Sequence, residues 1–371
     1  MNFNNTRIIC SALFLVSILL SACGGGDSST PPAAVTTPTA AVTQPSGTQH
    51  ALAIINYTLS DPNSDPASIL VEYSANGGTT WATATRDPVV LATNEGITAL
   101  TTSPAGISHT FRWQSMTDGV ATAGINNTVR IRITPSDAAT GTMATTTDFS
   151  VNNNFQQVIG VANALFIRNP TAAGERGVET PLGNLITDAM RLEYGTQLAI
   201  TNGGSSIRAP LPSSFVATDL TLRRNTAIAG PYDLVMGDVY SILPFGNRVV
   251  TRTVTGTQLW AVLERSVGTM PAAFGGFMQI SGFSFTYSLS GAVGARVQSV
   301  FLQPANTPIA KDGTIYTLAT NDFNNAGGDG YVELNDGTGT ARRVQADVLL
   351  DYIVAQGTLT PATNSRITQV P

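Results

Sequence analysis

Between Ala53 and Leu59 the chain reads AIINYTL, and apolar side chains recur at every second position, the period of a strand with one buried face. Ile69 to Ser74, Thr110 to Trp113 and Thr128 to Ile133 continue in the same way with β-branched and aromatic residues. Turn signals separate these runs: Asp61-Pro62-Asn63-Ser64-Asp65-Pro66, Asn76-Gly77-Gly78 and Asp118-Gly119. Short strands at that spacing predict an all-β sandwich over residues 50–153. From about residue 156 the period changes. Leu182, Leu185, Ile186, Ala189 and Met190 fall on one helical face, Thr180-Pro181 supplies an N-cap hydroxyl and a first-turn proline, and Gly195 supplies the stop. Further helices are predicted over Thr257–Val267 and Val344–Gln356, the second closed by Gly357, with strands over Gln197–Thr201, Asn247–Val254 and Thr314–Thr320. The expected architecture is multidomain: the all-β sandwich, then a mixed α/β (α+β) domain over residues 156–371.

The first fifty residues carry a different pattern. Arg7 precedes the apolar run Ile8–Leu20, which is shorter than the ~20 residues of a spanning helix, and small residues lead into Cys23. A short membrane anchor is one reading; the other is a bacterial lipoprotein signal over residues 1–22 with Cys23 as the lipidated residue. On that reading Cys10 is removed, so no disulfide framework and no cysteine metal site is expected. Gly24 in place of aspartate, by resemblance to known lipoproteins, implies an outer-membrane lipoprotein on the periplasmic face or cell surface. Residues 23–49 are rich in Gly, Ser, Thr, Ala and Pro and are expected to form a disordered tether, spanning on the order of 25–30 Å. The net charge of −5 and a single lysine, Lys311, leave no basic stripe to track a phosphate backbone, so no nucleic-acid partner is expected.

In the second half, polar and glycine-rich loops follow or precede strands, where α/β folds place ligands. They are Asn202-Gly203-Gly204-Ser205-Ser206-Ile207-Arg208, Leu243-Pro244-Phe245-Gly246-Asn247 and the run TNDFNNAGGDGY from Thr320 to Tyr331. No Gly-Lys-Ser/Thr follows for a phosphate-binding P-loop, and Val332 stands where a calcium-binding nonapeptide repeat needs aspartate. With Glu179-Thr180-Pro181-Leu182-Gly183-Asn184-Leu185-Ile186-Thr187-Asp188-Ala189 and Gln279-Ile280-Ser281-Gly282-Phe283, these loops resemble, in order, the C-terminal substrate-recognition domain of bacterial 5'-nucleotidases. The resemblance covers roughly residues 156–371. Val71 to Trp81 also resembles hairpins of bacterial fibronectin-like or immunoglobulin-like modules, which implies a spacer. The aspartates near Asp61 suit turn chemistry or a calcium ion.

The nucleotidase resemblance implies residue roles. Phe245 and Phe323 would stack on the two faces of a nucleobase, Asn247 would meet the base edge, and Asp329 would accept the ribose hydroxyls. Arg208 and Arg176 would reach the ribose and phosphate side, and Gly275 would bring backbone close to the ligand. Two departures weaken this grip: Ser205-Ser206 replace part of a glycine run, and Ala172 stands where some members carry a second arginine. Without the resemblance, the same residues read as core phenylalanines, solvated or paired arginines (Arg208 with Asp238, Arg176 with Glu175) and a turn aspartate. The family's catalytic half holds two metal ions through several histidines and aspartates, whereas this sequence has two histidines, His50 and His109, both in its first third. No Ser/His or Cys/His pair lies in the second half either. The expectation is therefore a nucleoside- or nucleotide-recognition chain with no catalytic residues and no cofactor of its own. Alternatives are a substrate-presenting subunit that meets its divalent metals on a separate metallophosphatase chain, and a structural or adhesive surface lipoprotein.

Overall fold

The computed structural model describes residues 36–88, 95–168, 173–213 and 230–371. The expected signal and Cys23 lie outside these residues. The chain divides into two compact units, residues 1–36 and 37–371, and the second contains every element below.

Eight strands come first: β1 (Thr39–Val42), β2 (Ala53–Ser60), β3 (Ser68–Ser74), β4 (Ala82–Thr83), β5 (Ile107–Trp113), β6 (Asn126–Ser136), β7 (Ala144–Thr145) and β8 (Phe149–Val151). They form an antiparallel sheet in the order β1-β2-β5 and a second in the order β4-β3-β6-β7, with β8 also paired to β6. One core joins both sheets, Ile55, Tyr57, Leu59, Phe111 and Trp113 meeting Ile69, Val71, Val129, Ile131 and Ile133. This is the inward set that the period of two selects. The tether expectation needs correction at its C-terminal end. Thr39–Val42 pairs with Tyr57–Ser60 and buries Ala40, while the Gln49 amide donates to the Ser150 carbonyl at 2.8 Å. Composition reports only side chains; an open sheet edge offers backbone hydrogen bonds that offset the entropy of ordering small residues. At Asp61, Oδ1 accepts from the Asn63 and Asp65 amides at 2.8 and 3.2 Å, the turn chemistry foreseen there.

The α/β region adds β9 (Val158–Ala162), α1 (Pro181–Tyr194), β10 (Leu198–Asn202), α2 (Gly203–Ser206), β11 (Tyr232–Val235), α3 (Met236–Ile242), β12 (Arg248–Thr255) and α4 (Gly256–Val267). Then follow β13 (Met278–Ser281), β14 (Phe283–Ser288), β15 (Val297–Leu302), β16 (Thr307–Pro308), β17 (Ile315–Asn321), α5 (Asp322–Asn325), β18 (Thr340–Val344), α6 (Gln345–Gln356), β19 (Thr358–Leu359) and β20 (Ile367–Val370). The central sheet runs β13-β10-β17-β12-β18, with β10 and β17 parallel. Neighbouring residues on its strands enter different cores. Ala199 and Ala319 pack with Leu182, Ile186, Met190, Val348 and Ile353 from α1 and α6. Leu198, Ile200 and Leu318 pack with Leu259, Val262 and Leu263 from α4 and with Phe283 and Phe285 from β14. A sheet covered on both faces explains why β10 is buried at all five positions. The helix signals work as read: Thr180 Oγ1 accepts from the Gly183 amide at 3.0 Å, Gly195 is left-handed at φ 60°, and Gly357 follows α6 at φ 66°. In this region the predicted helices and strands start within a residue of the observed ones.

The two regions are not joined as separate beads. Arg112, on β5, is 0% exposed although it projects from the outer face of its sheet. Its Nε donates to Asp87 at 2.9 Å, and its two terminal nitrogens donate to the carbonyls of Gly246 and Phe245, each at 3.1 Å. Ile54, opposite Arg112 in the register, packs on the core of the α/β region. The spacer expectation is thereby revised, because the β region holds the loop that carries Phe245.

Candidate functional site

Strand directions bring the sequence motifs together. β10 and β17 both end, and the antiparallel β12 and β13 both begin, at the same edge of the central sheet: Asn202 lies opposite Met278, and Val249 opposite Asn321. That edge therefore carries α2 and Arg208, the Phe245-Gly246-Asn247 turn, the Phe274–Phe277 loop and the segment from Asp322 to Tyr331. These four segments were separate in sequence and share one rim in the fold.

Hydrogen bonds tie the rim together. Asn321 Nδ2 donates to Asn202 Oδ1 at 2.9 Å, and Asn202 Nδ2 donates to Asp329 Oδ2 at 2.8 Å. Arg265 donates from Nη2 to the Asp329 carbonyl at 2.8 Å, and Tyr331 Oη donates to the Gly276 carbonyl. The Gly203 and Gly204 amides donate to the carbonyls of Phe277 and Gly275 at 2.8 and 2.9 Å. Gly203 has a steric reason to lack a side chain, since a Cβ there would stand 1.9 Å from the Glu175 carbonyl oxygen. Gly328 has another, as its Cβ would stand 2.5 Å from the Phe323 ring. The tightest approach thus falls on a glycine ahead of Ser205-Ser206.

Each expected site residue has a definite place. Phe323 is half-buried in α5 with its ring laid on Gly328, and Phe245 is half-buried in the turn that Arg112 grips. Asn247 is buried, and its carbonyl accepts from the Gln345 amide at 2.7 Å. Asp329, left-handed at φ 56°, points a carboxylate oxygen to Asn202. Gly275 gives its carbonyl to Gly204. Arg176 donates from Nη2 to the Gly204 carbonyl at 3.2 Å, while Glu175 pairs with Arg168 at 2.8 Å. Arg208 is exposed and its guanidinium carbon stands 5.0 Å from the Phe245 ring centroid. A guanidinium is flat and stacks on an aromatic face as a base does. A base bound on that face has to displace it.

Sequence reading did not single out Arg112, Asn202, Asn321 or Asp322. Ile54, an apolar residue in an outward register, was the signal for Arg112, since an outer face that carries isoleucine has a partner. Asp322 is nearly buried with neither carboxylate oxygen hydrogen-bonded. Burial raises its pKa, opposed by the nearby Arg248 and Phe323 amides, which fall short of hydrogen-bond geometry, and by the Arg112 and Arg248 guanidinium groups. Both histidines are hydrogen-bonded. His50 Nδ1 lies 2.7 Å from the Asn152 carbonyl, and both His109 nitrogens are engaged, by Glu95 at 2.9 Å and the Thr101 carbonyl at 2.8 Å. Among the described residues, no group of three or more His, Cys, Asp or Glu side chains that could hold a metal ion is assembled.

Residues 158–336 match the family model of the 5'-nucleotidase C-terminal domain. The trifunctional nucleotide phosphoesterase YfkN of Bacillus subtilis is 34% identical over 163 residues, which is 42% of this chain and 10% of that protein. Snake venom 5'-nucleotidase of Crotalus adamanteus is 29% identical over 235 residues, 58% of this chain and 37% of that protein. The crystal structure of a 5'-nucleotidase precursor from Thermus thermophilus superposes with a TM-score of 0.49 at 24% identity, over 72% of this chain and 53% of that one. The chain spans only 10 to 37% of the length of these two curated relatives. Residues 158–336, a little under half of the chain, are thus similar to the 5'-nucleotidase C-terminal domain.

Proposed function

We propose that the rim of the central sheet binds the nucleoside part of a nucleotide. Phe245 and Phe323 bracket the base, Asn247 meets its edge, Asp329 takes the ribose hydroxyls, and Arg208 and Arg176 face the phosphate side, with Gly275 lending backbone. The observation that carries the reading is the convergence of the Asn202, Phe245, Gly275 and Phe323–Asp329 segments on one sheet edge, joined by the Asn202 bond to Asp329. Two stacks at roughly 1–3 kcal/mol each and a few hydrogen bonds of about 1 kcal/mol, set against the cost of association, give millimolar to micromolar affinity. Calorimetry with adenosine and AMP on the wild type and on Phe323→Ala tests it. Saturable heat that weakens at least about tenfold in the variant is expected, and no heat with either ligand at millimolar concentration refutes it.

Hydrolysis is a separate matter. With no group of three or more potential metal ligands assembled among the described residues, the reading favoured for catalysis is that divalent metals arrive on a separate metallophosphatase chain, to which this one presents substrate. Phosphate release by such a pair, and by neither chain alone with added metal, is the expected result; release by this chain alone refutes it. Anchoring at the outer membrane through Cys23 completes the proposal, and Cys23→Ser should move the protein from the membrane to the soluble fraction.

A further inference from the structure

A cavity of about 370 Å³ lies at the seam of the β and α/β regions. One wall comes from the stretch around Gln44 and Gln49 and from Asn56 on β2; the other comes from Arg248, Arg342 and Arg343. Its size suits a small molecule. The three arginines differ in how their charge is met. Arg343 is paired, with Asp351 at 2.7 Å and Glu193 at 3.5 Å. Arg248 and Arg342 are not: Arg248 Nε donates to the Arg342 carbonyl at 2.7 Å, and Arg342 Nε donates to Thr251 Oγ1 at 2.9 Å. Both acceptors are neutral, and no carboxylate stands within ion-pair distance of either guanidinium among the described residues.

Arg342 is exposed and its guanidinium lies over the Tyr194 ring, 5.8 Å from the centroid, so its terminal nitrogens remain open to an incoming anion. Arg248 is half-buried; desolvation, and less strongly the neighbouring Arg112, disfavour its cation, while the Asp322 carboxyl, beyond ion-pair distance, favours it. The carboxylate on the same wall, Asp347, is buried and accepts from Tyr240 Oη at 2.6 Å, so it is turned to another partner. Neutral amides line the opposite wall. Two uncommitted guanidinium forks at one cavity suit phosphate oxygens better than a single carboxylate, because each fork presents parallel donors. From the cavity, the two unpaired arginines and the neutral facing wall, we infer that the seam is a binding site for a small phosphate-bearing anion. The anion touches both regions, so its binding stabilises the seam that also holds the Phe245 turn in place.

The site differs from the sheet rim, and the Arg342 variants separate the two, since pyrophosphate carries no base for the rim to stack but can still meet Arg208 and Arg176 there. Titration of the full chain with pyrophosphate by calorimetry should give saturable heat. Arg342→Ala should weaken it by about tenfold or more, Arg342→Lys by less, and Phe323→Ala should leave it unchanged. The wild type should also unfold at a higher temperature with pyrophosphate, a shift that Arg342→Ala abolishes. Equal heat from wild type and Arg342→Ala overturns the inference, as does equal heat from sulfate at matched ionic strength, which is general charge attraction. Failure here leaves the base-binding reading untouched, since that is read by adenosine.

Discussion

Removing Arg112 should damage the protein in two separable ways. The guanidinium is fully buried, holds Asp87 at 2.9 Å, and caps the carbonyls of Phe245 and Gly246 at 3.1 Å each. Asp87 is itself 2% exposed, so Arg112→Ala strips a desolvated carboxylate of its cation, a change that costs about 3–5 kcal/mol. The two carbonyls lose charge-assisted donors worth about 1–2 kcal/mol apiece. The double variant Arg112→Met/Asp87→Leu removes the stranded charge and keeps the carbonyls unmet, so it should recover most of the stability lost by the single variant. Urea unfolding measures the first effect. Hydrogen exchange at the amides of Gly246, Asn247 and Arg248 measures the second, and it should speed by about 30-fold or more in both variants, as expected for 2–3 kcal/mol of lost anchoring. A loss below about 1 kcal/mol in Arg112→Ala, or unchanged exchange in the double variant, would refute the view that the β region holds this turn.

Two further perturbations probe other parts of the fold. Gly203→Ala should lose about 3 kcal/mol or more in urea unfolding, because its Cβ would stand 1.9 Å from a backbone oxygen; Gly313→Ala, with nothing within 4 Å, is the control expected to change stability by less than about 0.5 kcal/mol. Burial pushes the Asp347 carboxyl up to about 7, so between roughly pH 4 and 7 the folded state holds a proton that the unfolded state has released. Stability from this group therefore falls as pH rises, by about 1.4 kcal/mol per unit within that window. Asp347→Asn lacks the slope, and its stability relative to wild type should increase from pH 4.5 to 7.5; a flat difference refutes the assignment. His50, whose burial lowers its pKa and gives the opposite slope below its usual value, is present in both proteins and cancels.

The fold was legible where local chemistry decides. Thr180-Pro181 and Gly195 bounded α1 without help, and the period of two gave the inward face of β2 and β6. The candidate rim was legible as separate pieces, since Gly203, Gly328 and the phenylalanines stand out as residue types. What did not show was their common edge. That depends on β10 and β17 running parallel while β12 and β13 run against them, a matter of pairing between strands more than 40 residues apart.

By itself, then, the sequence determined the periods, caps and turns, and with them the all-β first region and the mixed second region; it also carries the motifs by whose resemblance the nucleoside contacts are proposed. Tertiary structure decided three things that no local pattern contains. It drew Thr39–Val42 out of an apparently featureless stretch onto a sheet edge. It laid Arg208 across Phe245, and it drove Arg112 from an outward-facing strand position into the turn that carries that phenylalanine. Each is a contact between segments distant in sequence, and its free energy comes from burial and hydrogen bonding that exist only once both partners are in place.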